Sequence, residues 1–262
     1  MDKVRSTLRQ FVRDWSVSGE GERKAAYGPI LDAINQAFPG VPIHERGAIK
    51  VLVPGAGLGR LAFEIVRRGY SCQGNEFSMF MLLASNFILN TPESVDQFTI
   101  FPWIHLHSNV LTQEQQLRAE TIPDVLIRDC IPPTAEFSMV AGDFINIYGG
   151  AAEEGSWDAI VTCFFIDTAK NVCKYLDVIR HALRPGGLWI NLGPLLYHFE
   201  GDEDAVEFTL DEVMALVAEH GFEVRERRMV QTTYTAPQTT MLESVYNCAF
   251  WVAHVPPGGN HE

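Results

Sequence analysis

Three glycines, two strand-end acids and a later Asp/His pair carry the chemistry of this chain. Residues 51–78 read VLVPGAGLGRLAFEIVRRGYSCQGNEFS. The apolar run Val51-Leu52-Val53 feeds a turn holding Gly55, Gly57 and Gly59. Glycine lets a backbone come close to a ligand where a Cβ would collide. Leu61, Ala62, Ile65 and Val66 then recur at helical spacing, and a second short strand ends in Glu76. An acid one βαβ step beyond a glycine turn can accept hydrogen bonds from both hydroxyls of a ribose. Gly142-Asp143 closes a third strand. Asp167 ends the apolar run 157–167, and His198 follows the strand after it. All four positions fall at C-terminal strand ends, the edge where open α/β sheets bind ligands.

The bulk properties narrow the partners. A chain of 262 residues with 47% hydrophobic residues can bury a full core. Its net charge of −13 argues against a nucleic-acid partner, which wants a basic face, and suits a small or cationic substrate. The five cysteines are scattered, and neither a CxxC pair nor a Cys/His cluster has metal-ligand spacing, so no metal is expected. A reducing compartment fits them. With neither a signal peptide nor a long apolar run, no membrane partner is expected.

These site residues need positioning elements, and the pattern supplies them. Val4, Leu8, Phe11, Val12 and Trp15 predict a first helix. Ser18-Gly19-Glu20-Gly21 interrupts it, and a second helix runs to Phe38. Strands are predicted at 47–53 and 70–75 around a helix at 59–68. A further helix at 77–90 starts at Ser78 as N-cap. Residues 91–137, rich in proline, read as an insertion over the active site with little regular structure. Strands near 137–144, 157–167 and 188–192, helices at 169–183 and 209–220, and two last strands at 222–230 and 245–255 complete the pattern. Residues 256–262 read as a frayed tail. Strands alternating with helices imply a doubly wound, Rossmann-like sheet.

Two adenosine cofactors compete for the glycine turn. A nicotinamide site wants G-x-G-x-x-G, but Arg60 takes the last glycine's place. The G-x-G-x-G spacing resembles the first motif of S-adenosylmethionine (SAM) methyltransferases. Glu76, Gly142-Asp143, the turn Arg184-Pro185-Gly186-Gly187 and the final strand pair resemble the same class, whose sheet has seven strands. One departure stands out: the usual acid two residues before the first glycine is Val53 here. The methionine end of the cofactor must find partners elsewhere. Gln10 and Arg13, one turn apart on the first helix, can offer them. From spacing alone the same pair reads first as a solvated helix face.

The longer strings are more specific. QFVRDW, PGAGLGRLAFEI, GYSCQGNEFS, FPWIH, AGDF, TCFFIDTA and LRPGGLWINLGPLLYHFE, with Tyr234 and Tyr246, closely resemble the carnosine N-methyltransferase family from about Lys3 to Val252. The resemblance implies a class I SAM methyltransferase domain over 47–262, with the insertion at about 91–137. A helical segment, 1–46, contributes to its cofactor site. It implies methyl transfer from SAM to an imidazole nitrogen of carnosine, giving anserine. By motif, the cofactor site comprises Gln10, Arg13, Gly55, Glu76, Asp143, Phe144 and Cys163. The substrate site comprises Asp167, His198, Tyr234 and Tyr246, with Asp167 and His198 catalytic. The resemblance also implies a cytoplasmic enzyme, with the nucleus and a homodimer left open. The chain starts closer to QFVRDW than the animal members do, and residues 241–245 lack their aromatic cluster.

A neutral imidazole already carries a free lone pair at pH 7, since its pKa is about 6.5. It needs the right tautomer more than a base, and a carboxylate accepting the distal N–H provides that. Asp167 suits this role, and His198 suits orientation or proton relay. Read without the resemblance, Asp167 fits equally an N-cap, while His198 after a strand is more often packing and a tyrosine in a late strand is usually core. Cys163 reads as a small packing surface, without the partner base a nucleophile needs. Two alternatives remain: a histidine methyltransferase of other imidazole dipeptides, peptides or proteins, and a non-catalytic SAM-binding module.

Overall fold

The structure, a computed structural model, describes residues 1–237 and 240–257. The expected frayed tail lies, from 258 on, outside the described residues. The chain opens with α1 (Asp2–Trp15) and α2 (Glu20–Ala37). The first βαβ unit follows as β1 (Lys50–Pro54), α3 (Arg60–Val66) and β2 (Ser71–Glu76), and then α4 (Met79–Asn90). The insertion holds β3 (Phe98–Ile100), α5 (Gln113–Gln116) and β4 (Glu120–Ile122). After it come β5 (Phe137–Ala141), α6 (Phe144–Tyr148), β6 (Trp157–Cys163), α7 (Val172–Ala182), β7 (Leu183–Gly193), α8 (Leu210–Glu219), β8 (Glu223–Thr232) and β9 (Tyr246–His254).

Seven strands form one sheet in the order β5-β2-β1-β6-β7-β9-β8. The first five run parallel, and β9 pairs antiparallel with both β7 and β8. This is the sheet expected from the sequence. Alternation along the strands loads both faces. Val51 and Val53 pack with α2 and α3, whereas Leu52 packs with α7 on the other side. Ile160 and Trp189 share that second face, while Val161 and Ile190 share the first. So α2, from the N-terminal segment, is part of the sheet's own core. Among the described residues no helix is long and apolar enough to cross a membrane.

The insertion departs from expectation. No residue of 91–137 lines the central cleft. Its two short strands pair antiparallel with each other, and Ile122 and Ile127 pack with Phe11, Trp15 and Ile88 of α1 and α4. It braces α1 from behind because its apolar residues find the unburied side of that helix, not the ligand edge.

An ion network also ties it to the C-terminal end of α1. The last carbonyls of a helix lack intrahelical donors. Arg23 donates to the carbonyls of Arg13 and Ser16, each at 2.7 Å, and Arg60 donates to that of Asp14 at 2.7 Å. Asp124 holds both guanidiniums, at 2.7 Å from Arg23 and 2.6 Å from Arg60. Its own N–H donates to the Trp15 carbonyl. Arg60, the residue that displaced a glycine in the motif, thus ties the glycine turn to the end of α1.

Candidate active site

A cleft of about 1010 Å³ opens at the C-terminal ends of β1, β2, β5 and β6. Its floor starts at the glycine turn. Gly55 and Gly57 have φ of +66° and +56°, a region glycine enters freely. A Cβ on Gly55 would lie 2.5 Å from the Phe165 ring, so the ring closes directly over that turn. Nothing lies within 4 Å of the place a Gly57 Cβ would take. The turn therefore faces open cleft.

Glu76 organises the next corner. One carboxylate oxygen accepts from Gly57 N–H at 2.9 Å, and the other from Phe77 and Ser78 N–H at 2.9 and 2.7 Å. Ser78 holds the N-cap position of α4, yet its side chain makes no cap bond. Asp143 caps α6 by accepting from Asn146 N–H at 3.0 Å. Phe144 is buried at the base, edge-on to Phe165 and Tyr175, which stack on each other at 4.7 Å.

The opposite wall comes from α1 and the loop after β8. Gln10 donates to the Tyr234 hydroxyl at 2.6 Å. The Arg13 guanidinium is buried among aromatic rings, 4.7 Å from Tyr234 and 5.0 Å from Tyr27. It pairs with Asp14 at 3.3 Å and Glu22 at 2.9 Å. Tyr27, which sequence reasoning missed, donates to Asp14 at 2.8 Å and also lines the cleft. Cys163 ends β6 at the cleft, and burial pushes its thiol up to about 11 with Arg13 offsetting part of that. A thiol so raised is a packing surface at neutral pH.

Phe164 has φ of +52°, an uncommon conformation for a bulky residue that its surroundings must impose. Its N–H donates to Leu192, and its ring contacts Tyr234 at 4.6 Å and Tyr246 at 5.6 Å. Nothing in the string TCFFID signals this conformation.

Nine of the eleven expected site residues line the cleft; Asp167 and Tyr246 do not. Asp167 turns inward in a short 3-10 turn, Ile166–Thr168, and is 3% exposed. One carboxylate oxygen accepts from Leu196 N–H at 3.0 Å, and its carbonyl accepts from His198 N–H at 3.1 Å. Burial raises the carboxyl's pKa, against the pull of Leu196 and His198. The N-cap role open to it in the sequence falls to Asn171, which accepts from Cys173 N–H. Asp167 thus pins the segment that carries His198, and His198 itself lines the cleft. Lys170 and Lys174 also reach the cleft, a basic element not anticipated from sequence.

Comparison with known proteins bears on the fold and on the family. Among solved structures, the fold is similar to a chain in a complex between the Haloferax volcanii Trm112 methyltransferase activator and a methyltransferase. That match has a TM-score of 0.56 at 13% identity, covering 99% of this chain and 97% of that one. A SAM-dependent methyltransferase from Methanosarcina mazei gives 0.50 at 15%, over 80% and 93%. The [4+2]-cyclase SpnF gives 0.52 at 12%, over 88% and 81%, so this fold by itself does not fix the reaction. Sequence relatives are more specific. The carnosine N-methyltransferase of Rattus norvegicus is 48% identical over 262 residues, covering 98% of this chain and 64% of that protein. The protein of the same name from Schizosaccharomyces pombe is 45% identical, covering 97% and 71%. The chain therefore spans less than two thirds of the length of the rat relative. The family model for carnosine N-methyltransferase matches residues 1–257, and on that extent and those identities the chain belongs to the carnosine N-methyltransferase family.

Proposed function

We propose that this chain is a SAM-dependent N-methyltransferase that methylates the imidazole of carnosine, giving anserine and S-adenosylhomocysteine. The observation that carries the reading is one cleft with two kinds of lining, in a chain of this family. Glu76, Asp143 and Phe144 line one part, and His198 and Tyr234 line another. Its volume lies near the top of the range of about 300–1,000 Å³ for small-molecule sites, room for a cofactor and a small second substrate.

The residues present fit the cofactor. The open space before Gly57 suits close backbone approach to a ligand. The carboxylate of Glu76 suits the ribose hydroxyls, and Asp143 with Phe144 suits the adenine. Gln10 and Arg13 suit the methionine end, taking the place of the acid that Val53 lacks. Bound there, SAM supplies a methyl group on a sulfonium, an electrophile that asks no base of the protein.

The chain's own part is orientation. Phe164 and Tyr234 wall the substrate end and keep water from it. His198 contacts the imidazole substrate, and Asp167 fixes the segment bearing it. The negative charge of Asp167 also steadies the imidazolium that forms, as a buried carboxylate does for a catalytic histidine. Five free cysteines suit a reducing cytoplasm. Incubation with SAM and carnosine, followed by mass spectrometry of the product, tests this function. A methyl group appearing only on a histidine-containing peptide would favour the protein-directed alternative.

A further inference from the structure

Glu22 sits in the first turn of α2, outside the cleft lining, and its side chain is only 10% exposed. Such a carboxylate must be fully partnered, because burial of an unpaired charge is costly. Its partners are unusual in where they lead. One oxygen lies 2.9 Å from Arg13 Nε and accepts from Thr235 N–H at 2.8 Å. The other accepts from the Thr233 hydroxyl at 2.9 Å and from Ala236 N–H at 3.4 Å. Arg13 Nε makes no hydrogen bond despite the short distance, so its N–H points away from Glu22 and the contact is charge against charge. The directed bonds of Glu22 all go to the loop 233–236.

That loop needs an external hold. Thr235 has φ of +51°, a left-handed conformation that a β-branched residue adopts only when its surroundings impose it. Between the two anchored threonines stands Tyr234, whose ring faces Arg13 and Phe164 and whose hydroxyl meets Gln10. Behind the loop lies a second cavity of about 150 Å³, lined by Arg9, Glu22, Thr233 and Thr235 among others, so packing alone does not press the loop forward.

We propose that Glu22 is a positioning residue for the substrate: it fixes the strained 233–236 loop and thereby sets Tyr234 against the imidazole dipeptide. This rests on the methyltransferase reading of the cleft. Glu22 touches neither ligand and acts through Tyr234. The adenosine end of the cleft is held by other elements and does not depend on it.

The test uses the full chain with Glu22→Ala and Glu22→Gln. Losing the bonds to a charged acceptor raises the carnosine KM of Glu22→Ala about tenfold. Affinity for adenosine, measured by calorimetry, stays within about threefold, because Glu76 and Asp143 are untouched. Glu22→Gln keeps an oxygen for Thr235 N–H and recovers most of the KM. Hydrogen exchange at the amides of Thr235 and Ala236 speeds up in Glu22→Ala. An unchanged KM, or a loss of adenosine affinity parallel to the rise in KM, overturns the proposal. The exchange measurement separates the two layers. If the wild-type chain leaves carnosine unmodified, the substrate role falls with the proposed function. Faster exchange in Glu22→Ala would then still establish the anchor, and unchanged exchange would remove it too.

Discussion

Asp124→Ala is the sharpest perturbation of the fold that supports the cleft. The side chain lies in the insertion and lines no part of the cleft. Yet it is the anion between Arg23 and Arg60, which are 7% and 5% exposed. Removing it leaves two buried guanidiniums at the end of α1; burial and then Arg60 already hold the Arg23 pKa below its usual value. Breaking one partner out of a buried pair costs about 3–5 kcal/mol. Arg60 retains Glu64 at 2.9 Å, so the lower end, about 3 kcal/mol, applies here. That is a large part of a domain stability of about 5–15 kcal/mol. At about 2–4 °C per kcal/mol for a chain of this size, Tm falls by roughly 6–12 °C. Because α1 carries Gln10 and Arg13, S-adenosylhomocysteine affinity should drop as well. Thermal unfolding by circular dichroism and calorimetric titration read both effects. A Tm within about 2 °C of wild type, with unchanged affinity, would refute the view that the insertion holds the N-terminal helix in place.

Two further substitutions probe the cleft and the segment that carries His198. Glu76→Ala removes two proposed ribose bonds to a carboxylate, each worth about 1.5–3 kcal/mol, and the site is half exposed, so a loss near the low end, roughly 100-fold in SAM affinity, is expected. Equal affinity by calorimetry would take Glu76 out of the site. Asp167→Asn should abolish turnover on carnosine and still raise Tm at pH 8. Burial lifts the Asp167 carboxyl's pKa in the fold, so its ionised form costs stability above that folded value. The cost vanishes as pH falls through the folded value and below the unfolded one, about 3.9, so the Tm gain should shrink on acidification. A Tm at pH 8 below wild type would contradict that sign.

The legible parts of the molecule were those set by short-range pattern. Gly55, Gly57 and Glu76 announce a ligand edge because a turn, a helix and a strand fix their relation, and the Gly57 to Glu76 hydrogen bond is its direct result. The apolar runs at 51–53 and 157–167 likewise announce strands buried on both faces. Arg60 was legible only as a missing glycine, since its meaning depends on Asp124, 64 residues away in a segment without periodicity. Length and irregularity alone suggest an insertion over the cleft, because such segments so often serve there, but its apolar residues pack on α1 and α4 instead. Asp167 was legible as a strand-end acid, but one 3-10 turn decides where its side chain points, and strand patterns do not encode it. Phe164 and Glu22 left no trace, because a left-handed aromatic and a helix-start acid look ordinary until the loop they hold is folded.

Where the methyl group goes tests the proposed function most directly. The chain is incubated with SAM and, in parallel, carnosine, homocarnosine and a histidine-containing peptide. Tandem mass spectrometry then locates any added methyl. Methylation of an imidazole nitrogen of carnosine, lost in Asp167→Asn, is the expected result. Methylation of the peptide with both dipeptides left unmodified, or of a carnosine atom outside the imidazole, would contradict it.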